Sequence, residues 1–218
     1  MDAELLRQAR ILFGAQRERH SAESDRTADE NALTAVSNLR PRQLTRLWRH
    51  VQAIDGFWEA LKETEPGIVS RVAATAIDYR WEVIFLTRRP ETAGATAQVQ
   101  SQRWLEAHGF ALPSVFVVPG SRGRIAAALG LDIVVDDRPE NCLDVVADSR
   151  ARAILVWRGD AETGASAAKR LGIGVVHSTG ACLDVLTQAE RPAPEKGRII
   201  DRVMRLLGLD SSEPQPTA

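Results

Sequence analysis

The sequence predicts an α/β fold: a Rossmann-like parallel sheet with flanking helices, preceded by a mostly helical N-terminal region. Three observations carry this. From residue 65 to residue 190, short apolar runs alternate with segments of helical periodicity, the pattern of βαβ units with right-handed crossovers. Before residue 65 the apolar positions follow helical spacing alone. Finally, Ile133, Val134 and Val135 run directly into two adjacent carboxylates, Asp136 and Asp137. Such a run suits a strand buried on both faces, and in open α/β sheets ligands gather beyond the carboxyl ends of the strands.

Taken in order, Leu5, Leu6, Ala9, Leu12 and Phe13 fit one face of a helix over 3–13, and the polar segment 16–31 reads as a helix extension or a loop. Leu44, Leu47, Trp48, Val51 and Ile54 fit a second helical face that runs on into Phe57, Trp58 and Leu61. Pro66-Gly67 opens a helix carrying Val69, Val72, Ala73 and Ile77, since proline is tolerated in a first turn. Trp81–Thr87 reads as a buried strand, followed by a helix through Trp104, Leu105 and His108 that Gly109 stops. Ser114–Val118, Ile133–Asp136, Arg152–Trp157 and Gly174–His177 are the further strands. Arg122–Leu129, Cys142–Ala147, Ala165–Leu171 and Ala181–Gln188 are the helices that follow them. Arg191-Pro192-Ala193-Pro194 reads as a linker, Arg198–Leu207 as an amphipathic helix and Ser211–Ala218 as a frayed tail. The expected division is a helical segment at 1–64, an α/β core at 65–190, a linker and helix at 191–210 and a tail at 211–218.

At 44% apolar content the 218 residues suffice for a full core. A net charge of −1 points to neither a nucleic-acid nor a membrane surface as partner. Only Lys62, Lys169 and Lys196 among the basic residues are lysines. Cys142 and Cys182 form no disulfide framework or metal-ligand spacing and read as buried free thiols. No apolar run approaches the ~20 residues that span a bilayer. Met1–Glu4 lacks a basic leader followed by an apolar stretch, so the expected location is cytoplasmic.

Three strand exits carry polar groups. Thr87 ends the first, with a hydroxyl able to donate to an oxyanion and Arg88 beside it; its bland role is to satisfy the following turn. The second leads through Pro119-Gly120-Ser121 to Arg122, where the helix dipole mildly disfavours a cation unless it reaches towards an anion. The third carries Asp136 and Asp137. One could cap the next helix, but the pair together, with oxygen ligands only, suits Mg²⁺.

The order of these motifs resembles the haloacid dehalogenase-like superfamily of phosphotransfer hydrolases over roughly residues 55–180. Gly56-Phe57-Trp58, Glu65-Pro66-Gly67 and Asp136-Asp137-Arg138-Pro139-Glu140-Asn141 look most like its 5′(3′)-deoxyribonucleotidase branch. The resemblance implies that Thr87 holds a phosphoryl group. It places Arg122 at a basic position, normally Lys, that neutralises phosphate and nucleophile. It assigns Asp136 and Asp137 to Mg²⁺ and residues 1–64 to a substrate-selecting helical cap. Phosphate binding would then fall to Thr87, Arg88 and Arg122, and the partner would be a small phosphorylated substrate or anion. Trp48, Phe57 and Trp58 offer stacking groups or, at their helical spacing, ordinary core.

One part of the pattern is missing. The family's first motif is an apolar strand ending in Asp-x-Asp, whose first Asp forms an aspartyl phosphate. Nothing before Trp81 has it: Ala53-Ile54-Asp55-Gly56 has Ala at the nucleophile position, and Ile11–Gln16 has Gly and Gln at the two acidic ones. In the family this strand lies mid-sheet, between those matching Val83–Thr87 and Ile133–Asp136. Either strand and nucleophile belong to a longer reading frame, or the flanking strands pair directly, or Arg10–Phe13 fills the place without a nucleophile. Three functions stay open: a Mg²⁺-dependent phosphomonoesterase completed by an upstream Asp-x-Asp, a binding or regulatory domain without turnover, and an α/β domain whose acids and arginines form a structural ion-pair network. In that network Arg88, Arg89 and Arg138 are the counter-ions for Asp136 and Asp137. The sequence leaves the oligomeric state open.

Overall fold

The structure, a computed structural model, describes residues 2–13, 39–159, 161–190, 203, 204 and 206–208. The polar segment 16–31, the linker 191–194, the tail 211–218 and most of the helix expected over 198–207 lie outside the described residues. In chain order the elements are α1 (Asp2–Phe13), α2 (Pro41–Gln52), α3 (Ile68–Tyr79), β1 (Ile84–Thr87), α4 (Ala97–Ala107), β2 (Ser114–Val117), α5 (Arg122–Leu129), β3 (Ile133–Asp136), α6 (Pro139–Asp148), β4 (Arg152–Val156), α7 (Ala161–Arg170), β5 (Gly174–Val176) and α8 (Thr179–Glu190). They fall into two units, Met1–Thr64 with Glu82–Val118 and Glu65–Trp81 with Pro119–Ala218.

In the first unit α2 opens on Pro41, whose fixed φ suits a first turn, and the Gln43 amide oxygen accepts from Arg40 N–H at 3.0 Å. The helix does not run on into Phe57, Trp58 and Leu61 as its apolar spacing suggests. It ends at Gln52, whose carbonyl accepts from Ala93 N–H at 2.8 Å, so the loop after β1 satisfies a group that another helical turn would have used. Phe57 and Trp58 then sit on turns yet form the core with Leu5, Leu47, Val51, Leu61 and Ala97. Their rings meet edge to face at 4.9 Å. Trp104 and Val117 pack on the same cluster, and this groups residues 82–118 with the N-terminal helices rather than with the rest of the expected 65–190 core. β1 and β2 pair in parallel from Ile84↔Ser114 to Thr87↔Val117, with α4 as the crossover. β1 is shorter than expected because Trp81 belongs to the end of α3. There Arg80 adopts a left-handed φ of 56°, and Trp81 N–H bonds to Ala76 O at 2.8 Å, a helix-closing arrangement.

The second unit is a three-stranded parallel sheet in the order β3-β4-β5. β4 is its centre, and Ile154 and Leu155 are fully buried, each worth about 1.5–3 kcal/mol of apolar burial. Leu155 joins Ala126, Val134, Cys142, Val145 and Ile173 on one face, while Ile154 joins Val176, Cys182, Val203 and Leu207 on the other. Both cysteines are therefore buried free thiols, as expected, and burial pushes each up to about 12. Glu65, just before α3, clamps the start of α8: its carboxylate accepts from Thr179 N–H at 2.8 Å and Gly180 N–H at 2.9 Å. Arg158 donates to it at 2.9 Å. These bonds satisfy donors that a helix start leaves open.

The expected single sheet is thus two smaller ones, of two and three strands. Among the described residues β1 pairs with β2, and β3 with β4. Arg10–Phe13 is the last turn of α1 rather than a replacement strand. Among the described residues no helix is long and apolar enough to cross a membrane.

Candidate functional site: a buried arginine beside a strand-end aspartate

The site in the second unit follows from how α5 starts. Ser121 caps it, accepting from Arg124 N–H at 3.5 Å and donating to Asp148 Oδ2 at 3.3 Å. Gly123 lets the helix lie directly on α6: a Cβ there would stand 1.9 Å from Asp144 O. This close approach sinks the side chain before it, and Arg122 is only 6% exposed. Its Nε lies 4.0 Å from Asp136 Oδ2. Its Nη1 is buried with no hydrogen-bond partner among the described residues.

Asp136 ends β3, and its side chain is 14% exposed. Its Oδ1 accepts from Arg138 N–H at 2.9 Å, an Asx-type turn into α6. The Asn141 amide donates to both carboxylate oxygens, at 2.9 and 3.0 Å. Burial is the main influence on its pKa and pushes it above the usual carboxylate value; Asp137 adds to the rise, while Asn141, Arg138 N–H and Arg122 oppose it. Asp137 is exposed. Arg138, one of the counter-ions of the ion-pair network, turns its side chain instead to Glu140, 4.0 Å away.

The turn and the Asn141 bonds are what any strand-to-helix junction uses. Arg122 is different, because a buried donor left unmade costs roughly 1–3 kcal/mol, and more when charged. Its fork suits a bidentate oxyanion, and the start of α5 adds the positive end of a helix dipole. For Mg²⁺ the oxygen-only pair Asp136–Asp137 would supply only part of a shell, since that ion takes one or two carboxylates with waters and phosphate oxygens. Among the described residues no three His, Cys, Asp or Glu side chains converge.

Of the expected site residues, the structure brings Arg122 and Asp136 together, with Asp137 adjacent. Thr87 and Arg88 belong to the first unit. Thr87 closes β1 half-buried, its carbonyl accepting from Val118 N–H at 2.9 Å, and Arg88 is exposed. Asn141 lies within the Asp136–Asn141 stretch, and its place five residues after Asp136, in the first turn of the following helix, is the sequence signal for its role. Gly123 had no such signal, because the close approach of α6 is long-range.

Fold and site together define a parallel α/β protein with a buried arginine poised at a strand exit. No family model matches the chain, and neither a curated protein nor a solved structure matches it.

Proposed function

We propose that the chain is a haloacid dehalogenase-like domain that recognises a phosphate-bearing small molecule at Arg122 and, with the residues of this sequence, binds it without hydrolysing it. The buried Nη1 of Arg122, without a hydrogen-bond partner among the described residues, carries this reading. A phosphate oxygen would satisfy that donor and bring the charge which Asp136, at 4.0 Å and engaged with Asn141, only partly offsets. The absence of Asp-x-Asp removes the covalent route, because Ala53 and Gly14, the residues at the nucleophile position of the two nearest imitations, carry no carboxylate to form an aspartyl phosphate. Mg²⁺, held by Asp136 and Asp137, would supply neutralisation of the phosphate's charge.

A second reading, the Mg²⁺-dependent phosphomonoesterase, is favoured by the Asp136–Asp137 pair. The two readings separate in an assay of the full chain with a generic phosphomonoester and Mg²⁺. Binding without turnover supports the first. Turnover that Asp136→Asn abolishes replaces it with the second.

A further inference from the structure

The first unit holds another arginine that has no counter-charge among the described residues. Arg89 follows β1 by two residues and is half-buried. Its guanidinium lies 5.0 Å from the ring centroid of Trp58, within cation–π range, and Nη1 donates to the Ser101 hydroxyl at 2.7 Å. Both supports belong to the interior: Trp58 and Ser101 are buried, and Ser101 in turn donates to Ala97 O at 2.5 Å. Both are neutral. Among the described residues no carboxylate lies within ion-pair distance of Arg89, and burial lowers its pKa to about 10, against more than 12 for an ordinary arginine.

The loop carrying Arg89 is firmly held. Gln100, fully buried, donates to Ala95 O at 2.6 Å and Thr92 Oγ1 at 2.9 Å, and accepts from Trp58 N–H at 3.0 Å. The Trp58 indole donates to Pro90 O at 3.1 Å. A ring beneath and a hydroxyl at one corner thus fix the guanidinium plane. They leave Nε and Nη2 without partners among the described residues. A planar cation fixed in this way has already lost the freedom that binding would otherwise remove, and its two free corners match the two oxygens of an oxyanion.

We propose that Arg89 is the binding residue of a second oxyanion site, contained in the first unit, that takes the phosphate or carboxylate group of a small ligand at the edge of the guanidinium held on Trp58. Arg88, the neighbour singled out by the sequence, is exposed and has no such support. This site goes beyond the Arg122 reading and does not rest on it.

The test follows the side-chain Nε–Hε NMR signals of Arg89 and Arg122 in the full chain, as wild type and as Arg122→Gln. Inorganic phosphate is titrated in one arm and acetate in the other. The Arg89 signal is expected to shift saturably in both proteins, and the more effective anion assigns the ligand group. In Arg89→Lys, which keeps the charge but not the fork, phosphate affinity read at the Ser101 backbone amide falls about tenfold. An Arg89 signal unmoved by either anion overturns the inference. A shift at Arg122 alone overturns only this site, and a shift at Arg89 alone overturns only the Arg122 reading.

Discussion

Arg122 Nε stands 4.0 Å from Asp136 Oδ2 while Nη1 of the same guanidinium is buried without a partner among the described residues. The ion pair is long, and Asp136 has its own bonds from Asn141 and Arg138 N–H. Removing the arginine therefore does not strand the carboxylate, whereas keeping it buries an unmet donor. Arg122→Met is expected to leave stability unchanged or raise it by about 1 kcal/mol. Urea unfolding measures this, and a loss of about 3 kcal/mol would mark Arg122 as a structural counter-ion.

Gly123 sets the depth of that arginine. A methyl group there meets the Asp144 carbonyl oxygen at 1.9 Å and its carbon at 2.6 Å, backbone atoms that cannot rotate aside. Gly123→Ala should cost about 1–3 kcal/mol through forced separation of α5 and α6, and it should weaken phosphate binding by shifting Arg122. Thermal unfolding and phosphate titration of the same variant check both effects.

Glu65 gives a pH-dependent contribution. Burial opposes its ionisation, but the N–H groups of Thr179 and Gly180 and the Arg158 guanidinium outweigh it and hold the carboxyl below the usual range. A lowered folded pKa stabilises the fold above the unfolded value, about 4.3, and that stabilisation disappears as pH falls through the folded value. Glu65→Gln should cost about 1–2 kcal/mol at neutral pH and progressively less at lower pH. Urea midpoints at pH 7 and pH 3 test this; an equal difference at both would contradict it.

Gln100 has a matching role in the first unit. Its amide is wholly buried and joins Trp58 N–H to the loop at Thr92 and Ala95. Gln100→Leu preserves volume but leaves a buried donor and acceptors unmet, so about 2–3 kcal/mol should be lost. A cost below about 0.5 kcal/mol in chemical unfolding would show that water replaces the amide.

The alternation of apolar runs with helical periodicity was enough to place the five strands and the helices between them, because both signals are local. What depends on distant partners was not legible. Nothing in residues 44–61 shows that Ala93 will end α2 at Gln52, so Phe57 and Trp58 read as helical although they pack from turns. Strand pairing is likewise non-local, and the expected single sheet is two. At the site, residue type and position marked Arg122 and Asp136, but the depth of Arg122 depends on Gly123 meeting α6. The contacts of Arg89 with Trp58 and Ser101 were likewise not legible, because only the fold brings these residues together.

Titration calorimetry of inorganic phosphate into the full chain, compared with Arg122→Gln, tests the central claim most directly. The account predicts saturable binding to the wild type, weakened about tenfold or more in the variant, with phosphate shifting the Arg122 Nε–Hε signal. Equal affinity in the two proteins with an unmoved Arg122 signal would contradict it.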